Sequence, residues 1–136
     1  MQDVATWDDV RRVAASFPET AERSTRGGIP QWRVRDKLFV WERPLRRADI
    51  DALGDDAPKG PILGVRVADV GVKEALLAEL PDVCFTIPHF DGYPAILVRL
   101  DHITLPDLRE MMVEAWLSRA PRSLAKDYLN EQKVGD

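Results

Sequence analysis

Two spacings of apolar residues alternate along the chain, and each switch between them marks an element. Trp7, Val10, Ala14 and Phe17 recur at helical spacing, with Asp8, Asp9, Arg11 and Arg12 on the other side. Thr6 reads as the N-cap, and Asp9 three residues on completes a capping box. Pro18 ends that helix, and the polar stretch Glu19 to Gly28 reads as a loop. The period then drops to two. Trp32 and Val34 alternate with Gln31, Arg33 and Arg35, Arg35-Asp36-Lys37 makes a turn, and Leu38 to Trp41 forms a second strand.

Glu42 to Pro61 has no regular period and reads as a long exposed loop with one helical turn around Ala48 to Leu53. Ile62 to Val67 is a third strand. Val72, Leu76 and Leu80 align along a second helix that Pro81 stops. Strands four and five are predicted at Val83 to Ile87 and Ala95 to Leu100, joined by the loop Pro88 to Pro94. Thr104 caps a long helix, with Asp107 at the capping-box position and Leu105, Leu108, Met112, Ala115 and Trp116 as its apolar stripe. Pro121 breaks it, and Leu124 with Tyr128 marks a terminal helix.

The predicted fold is therefore α+β: two layers, a five-stranded antiparallel sheet with helices on one face, in the order α-β-β-β-α-β-β-α-α. One domain is expected to span residues 1–136, because short loops favour antiparallel neighbours and 136 residues suit one core.

Composition narrows the chemistry. Cys84 is the sole cysteine, so no intrachain disulfide and no Cys-x-x-Cys motif can form; it reads as a small core hydrophobe. Met1 to Ala5 does not resemble a signal peptide, and no apolar run is long enough to cross a bilayer. A cytoplasmic location is expected. The net charge of −4 weighs against a strong nucleic-acid binder, since such domains usually carry a basic surplus. The segment Gly60 to Gly64 lacks the Gly-Lys-Ser/Thr of a phosphate loop.

Several stretches, taken in order, resemble the MmcQ/YjbR family of small bacterial proteins. They are Trp7-Asp8-Asp9-Val10, Phe17-Pro18-Glu19-Thr20, Trp32 through Phe39, Pro88 through Ala95, Val98-Arg99-Leu100, and Glu114-Ala115-Trp116-Leu117 leading to Ala120-Pro121. The similarity runs over nearly the whole chain. It implies a fold shared with YjbR and the type III secretion chaperones, an antiparallel five-stranded sheet with helices on one side. It also implies DNA binding through two wing-like hairpins, without assigning catalytic or base-reading residues. Asp36 occupies the first hairpin turn, where relatives often have glycine.

Three groups of residues are candidates for chemistry. Arg33, Arg35, Lys37, Arg43, Arg46 and Arg47, set against Asp36 and Glu42, give a local surplus of four positive charges and form the candidate nucleic-acid site. The alternative is a solvated strand and loop partly neutralised by Asp49, Asp51, Asp55 and Asp56. Arg119, Arg122 and Lys126 follow the long helix, where they also suit its dipole. His89 and Asp91, beside Phe90 and Tyr93, have the residue types of an acid–base or metal site but no third partner in any local motif. A Gly-Pro turn packing aromatics against the sheet edge is the favoured reading of them. Trp7, Trp32, Trp41 and Trp116 fall within amphipathic periods and are assigned to the core.

The expectation is thus a non-enzymatic domain without cofactor or bound metal. It would bind DNA weakly and salt-sensitively, or alternatively serve as an adaptor for a protein or small molecule. It would be a monomer or homodimer and would not span a membrane.

Overall fold

A computed structural model describes residues 3–134. The first two residues of the Met1 to Ala5 stretch and the last two of the 1–136 span lie outside the described residues. Helix α1 is Trp7–Ala15, followed by strands β1 (Thr20–Ser24), β2 (Pro30–Val34) and β3 (Lys37–Glu42). Next come helix α2 (Arg47–Leu53), strand β4 (Ile62–Arg66), helix α3 (Val70–Glu79) and strand β5 (Cys84–Phe85). Strand β6 (Ala95–Arg99) and helices α4 (Leu105–Arg119) and α5 (Arg122–Val134) complete the chain. The sheet has six strands in the order β1-β2-β3-β4-β6-β5, and every neighbouring pair is antiparallel.

The α+β class and the antiparallel sheet agree with expectation; the strand count and element order do not. The sheet has six strands instead of five, and the order is α-β-β-β-α-β-α-β-β-α-α. The added strand, β1, lies in the stretch read as a loop. Its residues Thr-Ala-Glu-Arg-Ser are nearly all exposed, so no burial-driven alternation marks it. The ladder to β2 holds it, from Thr20 opposite Val34 to Ser24 opposite Pro30. The helical turn foreseen in the long loop is the two-turn helix α2.

The first helix forms as its capping box dictates. The Thr6 amide donates to Asp9 Oδ2 at 2.9 Å, and the Asp9 amide donates to Thr6 Oγ1 at 3.3 Å. Thr104 also precedes a helix, yet its side chain makes no capping hydrogen bond. Its backbone instead bridges to Val4. In α3 the buried stripe is turned from the predicted one: Lys73 is buried with Leu76 and Leu77 beside it, while Val72 and Leu80 are exposed.

Strands β4 and β6 are apolar on both faces, and this shapes everything around them. Leu63, Val65, Ile96 and Val98 join the main core under α1 and α4, with Trp32, Phe39, Leu108, Met112 and Trp116. Ile62, Ala95 and Leu97 point the other way, into a second cluster with Trp41, Phe85, Ile87 and Phe90. That second face is covered by a 3₁₀ turn at Pro88–Phe90 and by Leu45 and Leu53, the latter from α2. So α1 and α4 share one face as expected, while α2 serves the opposite one.

A bulge in β3 fits the hairpin to both faces. Trp32 lies opposite Val40 but Arg33 lies opposite Leu38, leaving Phe39 as the extra residue. Phe39 and Val40 therefore both enter the main core, and Leu38 and Trp41 both face the second cluster. Trp41 in turn lies flat where β4 offers no side chain. A Cβ added at Gly64 would fall inside the van der Waals envelope of the Trp41 indole.

The four tryptophans behave as core residues: Trp32, Trp41 and Trp116 are buried, and Trp7 stacks on Trp32 with ring centroids 6.5 Å apart. Trp116 Nε1 donates to Thr20 Oγ1 at 3.0 Å, tying α4 to the edge strand. Cys84 is buried as expected, and loss of hydration pushes its thiol pKa up to about 11.

Gly64→Ala is expected to lower stability by about 1–3 kcal/mol, because a rigid indole must shift to admit the methyl group. Urea unfolding monitored by tryptophan fluorescence checks this; an unchanged midpoint contradicts the packing described.

Candidate functional site: a cleft on the second sheet face

Where the second face is left partly uncovered, a cleft of about 760 Å³ opens. Trp41, Leu38, Leu45 and Phe90 supply apolar walls, while Gln31, Arg46, His89 and Asp91 bring polar groups to it. Three segments meet here: the β2–β3 hairpin, the stretch from Glu42 to Arg46, and the loop from Pro88 to Pro94.

Ion pairing builds the second segment. Arg43 is buried, and its Nη2 lies 3.2 Å from Asp49 Oδ2, itself buried. The same Asp49 oxygen accepts from the Arg46 amide at 2.8 Å, so one carboxylate starts α2 and holds the arginine. Arg43 Nη1 donates to the Pro44 carbonyl, and the guanidinium carbon lies 5.7 Å from the Phe90 ring centroid.

Lys73 anchors the third segment from the far side. It is buried, and its Nζ donates to the carbonyls of Phe90 at 2.5 Å and Tyr93 at 3.0 Å. Burial pushes its pKa down, and the charge of Asp91 partly restores it. Phe90 then packs edge-on to Trp41 at 6.2 Å and against Tyr93 at 5.9 Å. Sequence reasoning missed this role for Lys73. Its one signal is a lysine on the inward stripe it shares with Leu76 and Leu77.

The six predicted basic residues do not all line the cleft. Arg43 and Arg46 line the cleft, whereas Arg33, Arg35, Lys37 and Arg47 do not. Arg33 donates to Gln31 Oε1 and to the Asp36 carbonyl, the latter at 2.8 Å. Arg35 makes a two-pronged contact with Glu19 at 2.7 and 2.8 Å. Arg47 is paired across a helical turn with Asp51 at 3.8 Å. Lys37 is exposed and has no ion-pair partner among the described residues. Asp49 and Asp51 thus neutralise arginines as the alternative reading held, Asp55 and Asp56 form no ion pair among the described residues, and Glu19, from outside the loop, pairs with Arg35.

Asp36 sits where it was expected, at the hairpin tip. Arg35 and Asp36 both have positive φ, 44° and 67°, as a two-residue turn between paired strands requires. That backbone explains why glycine suits the position. The Asp36 carboxylate lies 3.4 Å from Arg23 of the edge strand.

His89 and Asp91 both border the cleft, but no hydrogen bond joins them among the described residues. The His89 ring stands edge-on to Phe90 at 5.0 Å. No group of three or more His, Cys, Asp or Glu residues gathers in metal-binding geometry among the described residues. Among the described residues, no helix is long and apolar enough to cross a membrane.

Fold and cleft together define an α+β protein that covers one sheet face with long helices and leaves a lined depression on the other. The chain belongs to the YjbR family, whose model matches residues 15–118. Uncharacterized protein Rv2570 of Mycobacterium tuberculosis and Uncharacterized protein Mb2600 of Mycobacterium bovis are each 53% identical over 129 residues, covering 93% of this chain and 97% of theirs. The crystal structure of Deinococcus radiodurans protein DR2400, which carries the family-model domain DUF419, matches with a TM-score of 0.59 at 17% identity, over 86% of this chain and 80% of that one. At that identity the likeness is one of fold.

Two outcomes follow from the ion pairs. Asp49→Ala strands the buried Arg43 charge and uncaps α2, so it is expected to cost about 3–5 kcal/mol in urea unfolding. A loss below about 1 kcal/mol contradicts the pair. Glu19 is held below the usual carboxylate range, chiefly because it accepts hydrogen bonds from Arg35. Its contribution to stability is whole above the ordinary glutamate value and fades as pH falls through the lowered one. Carboxyl-carbon NMR titration is expected to show the low value, and Arg35→Gln to restore the ordinary one; a normal titration in the native chain contradicts the contact.

Proposed function

We propose that this chain is a non-enzymatic binding module that takes a small ligand with an apolar or aromatic body and an anionic group in the cleft of its second sheet face. The observation that carries this reading is the cleft's make-up. Its volume of about 760 Å³ lies in the range of small-molecule sites, and its lining divides evenly between apolar or aromatic residues such as Leu38, Leu45 and Phe90 and polar or charged ones, among which Arg43 and Arg46 offset Glu42 and Asp91. Trp41 and Phe90, both largely buried, present only ring edges to the cleft, and Arg46 stands exposed at the rim to meet a carboxylate or phosphate. Arg43 sets the local field but is already engaged with Asp49. The buried anchors on either side, Arg43–Asp49 and Lys73, favour a preformed site over one assembled on binding. A cytoplasmic location, expected from the lone cysteine, is part of the same proposal.

DNA binding, which the family resemblance suggests, is the second reading. Its support is the adjacent exposed pair Arg46 and Arg47 with Lys37 at the start of β3. It ranks below the first because Arg35, Arg43 and Arg47 each face a carboxylate, and the chain carries a net charge of −4.

The test uses 2-naphthoate and a short duplex DNA, followed by amide and indole NMR shifts. Naphthoate is expected to move the signals of Gln31, Trp41, Phe90 and Arg46, with Arg46→Ala weakening it about tenfold. Failure of naphthoate to perturb these signals counts against the cleft. Steeply salt-dependent duplex binding, abolished by Arg46→Glu with Arg47→Glu, would transfer the assignment to DNA.

A further inference from the structure

Helix α3 turns an apolar stripe away from the core. Val72, Leu76 and Leu80 recur every fourth residue, the spacing of one helical face. Lys73 takes the inward position instead, with its Nζ on the carbonyls of Phe90 and Tyr93. Leu76 is half-buried, but Val72 is 40% exposed and Leu80 36%. Beside the stripe runs a groove of about 350 Å³ whose other wall is α4. Leu76 and Met111 form its floor, since both also pack on the main core.

Carboxylates rim this groove. Glu79 comes from α3, and Asp107, Glu110 and Glu114 come from one face of α4, spaced three and four residues apart. All four are exposed, and none has an ion-pair partner among the described residues. Arg66 is the one cation in the lining among those residues, and it is engaged elsewhere. Its Nη1 donates to the Tyr93 hydroxyl at 2.6 Å, and its guanidinium carbon lies 4.8 Å from that ring's centroid. Four acids against one base leave the lining at −3.

Apolar side chains left in water and like charges one turn apart are both unfavourable, and one partner can relieve both. No three of these acids converge in metal-binding geometry among the described residues, so a bare cation does not suit them. The features are instead strung out along the groove. Asp107 to Glu114 rises about 10 Å, and Val72 to Leu80 about 12 Å. A small amine would meet one part of that length, whereas two turns of a helix would cover it.

We infer that the groove between α3 and α4 docks a basic amphipathic helix of a partner protein. Its apolar residues lie on Val72, Leu76, Leu80 and Met111, and its lysines or arginines face the carboxylate rim. Met111 supplies an adaptable contact, and the rim turns away acidic helices of the same shape. No residue of this groove lines the cleft, so the inference stands apart from the ligand proposed there.

Fluorescence anisotropy with the full chain at low ionic strength tests it. The probe is a labelled peptide of about 18 residues, with leucine at i, i+3, i+4 and i+7 and lysine elsewhere. A second peptide carries glutamate in place of lysine. The lysine peptide is expected to bind and the glutamate peptide not to. Glu110→Gln with Glu114→Gln, and separately Val72→Ser with Leu80→Ser, should each weaken binding about tenfold. These side chains are exposed, and circular dichroism confirms that the variants fold. Asp55→Asn with Asp56→Asn, which changes the net charge equally outside the groove, should leave binding unchanged. The inference is overturned if the lysine peptide does not bind, if both peptides bind alike, if the folded groove variants bind normally, or if the Asp55 and Asp56 control is as damaging. Sedimentation showing self-association that Val72→Ser with Leu80→Ser abolishes would give the groove to a second copy and overturn the partner assigned.

Discussion

The constraint on which the structure turns is that its central strands are apolar on both sides. Leu63 and Val65 alternate with Ile62 and Gly64, and Ile96 and Val98 alternate with Ala95 and Leu97, so neither sheet face can be left to water. The helices α1 and α4 cover one face with a full core. The other receives only a 3₁₀ turn, a short helix and a few loop side chains. A partial cover over an apolar sheet leaves a depression, and that depression is the cleft. The bulge at Phe39 and the bare backbone at Gly64 belong to the same solution, since they let Trp41 lie across the second face.

The covering pieces on the second face are short and would not hold by apolar contact alone. Each is fixed by one buried charge. Asp49 holds Arg43 and the start of α2 together, and Lys73 reaches through from α3 to two carbonyls of the opposite loop. Between these anchors Phe90 contacts Trp41 and lies under the Arg43 guanidinium. Buried charges of this kind are costly to strand, which is why they fix geometry more than they add stability. The cleft is accordingly a product of electrostatic pinning laid over a hydrophobic requirement.

Much of this was legible in the residues. The capping box at Thr6 and the stripe Leu108–Met112–Ala115–Trp116 announce themselves through period and position. What escaped did so for physical reasons. Thr20–Ser24 is an edge strand with polar residues on both faces, so backbone pairing, which leaves no side-chain period, is all that marks it. The inward stripe of α3 was misjudged because a lysine occupies it, and a buried lysine is uncommon unless carbonyls await it. The basic cluster was visible as composition, yet its pairing was not: Glu19 reaches Arg35 across the β1–β2 ladder, and Asp49 folds back on Arg43.

The most direct measurement is a crystallographic soak of the native chain with a panel of small aromatic acids. The expected result is density for several of them lying in the cleft against Leu38, Leu45 and the outer edges of Trp41 and Phe90, each with its acid group toward Arg46, and with Arg43 and Lys73 unmoved. Density that gathers on other surfaces while this depression holds only solvent would contradict the account.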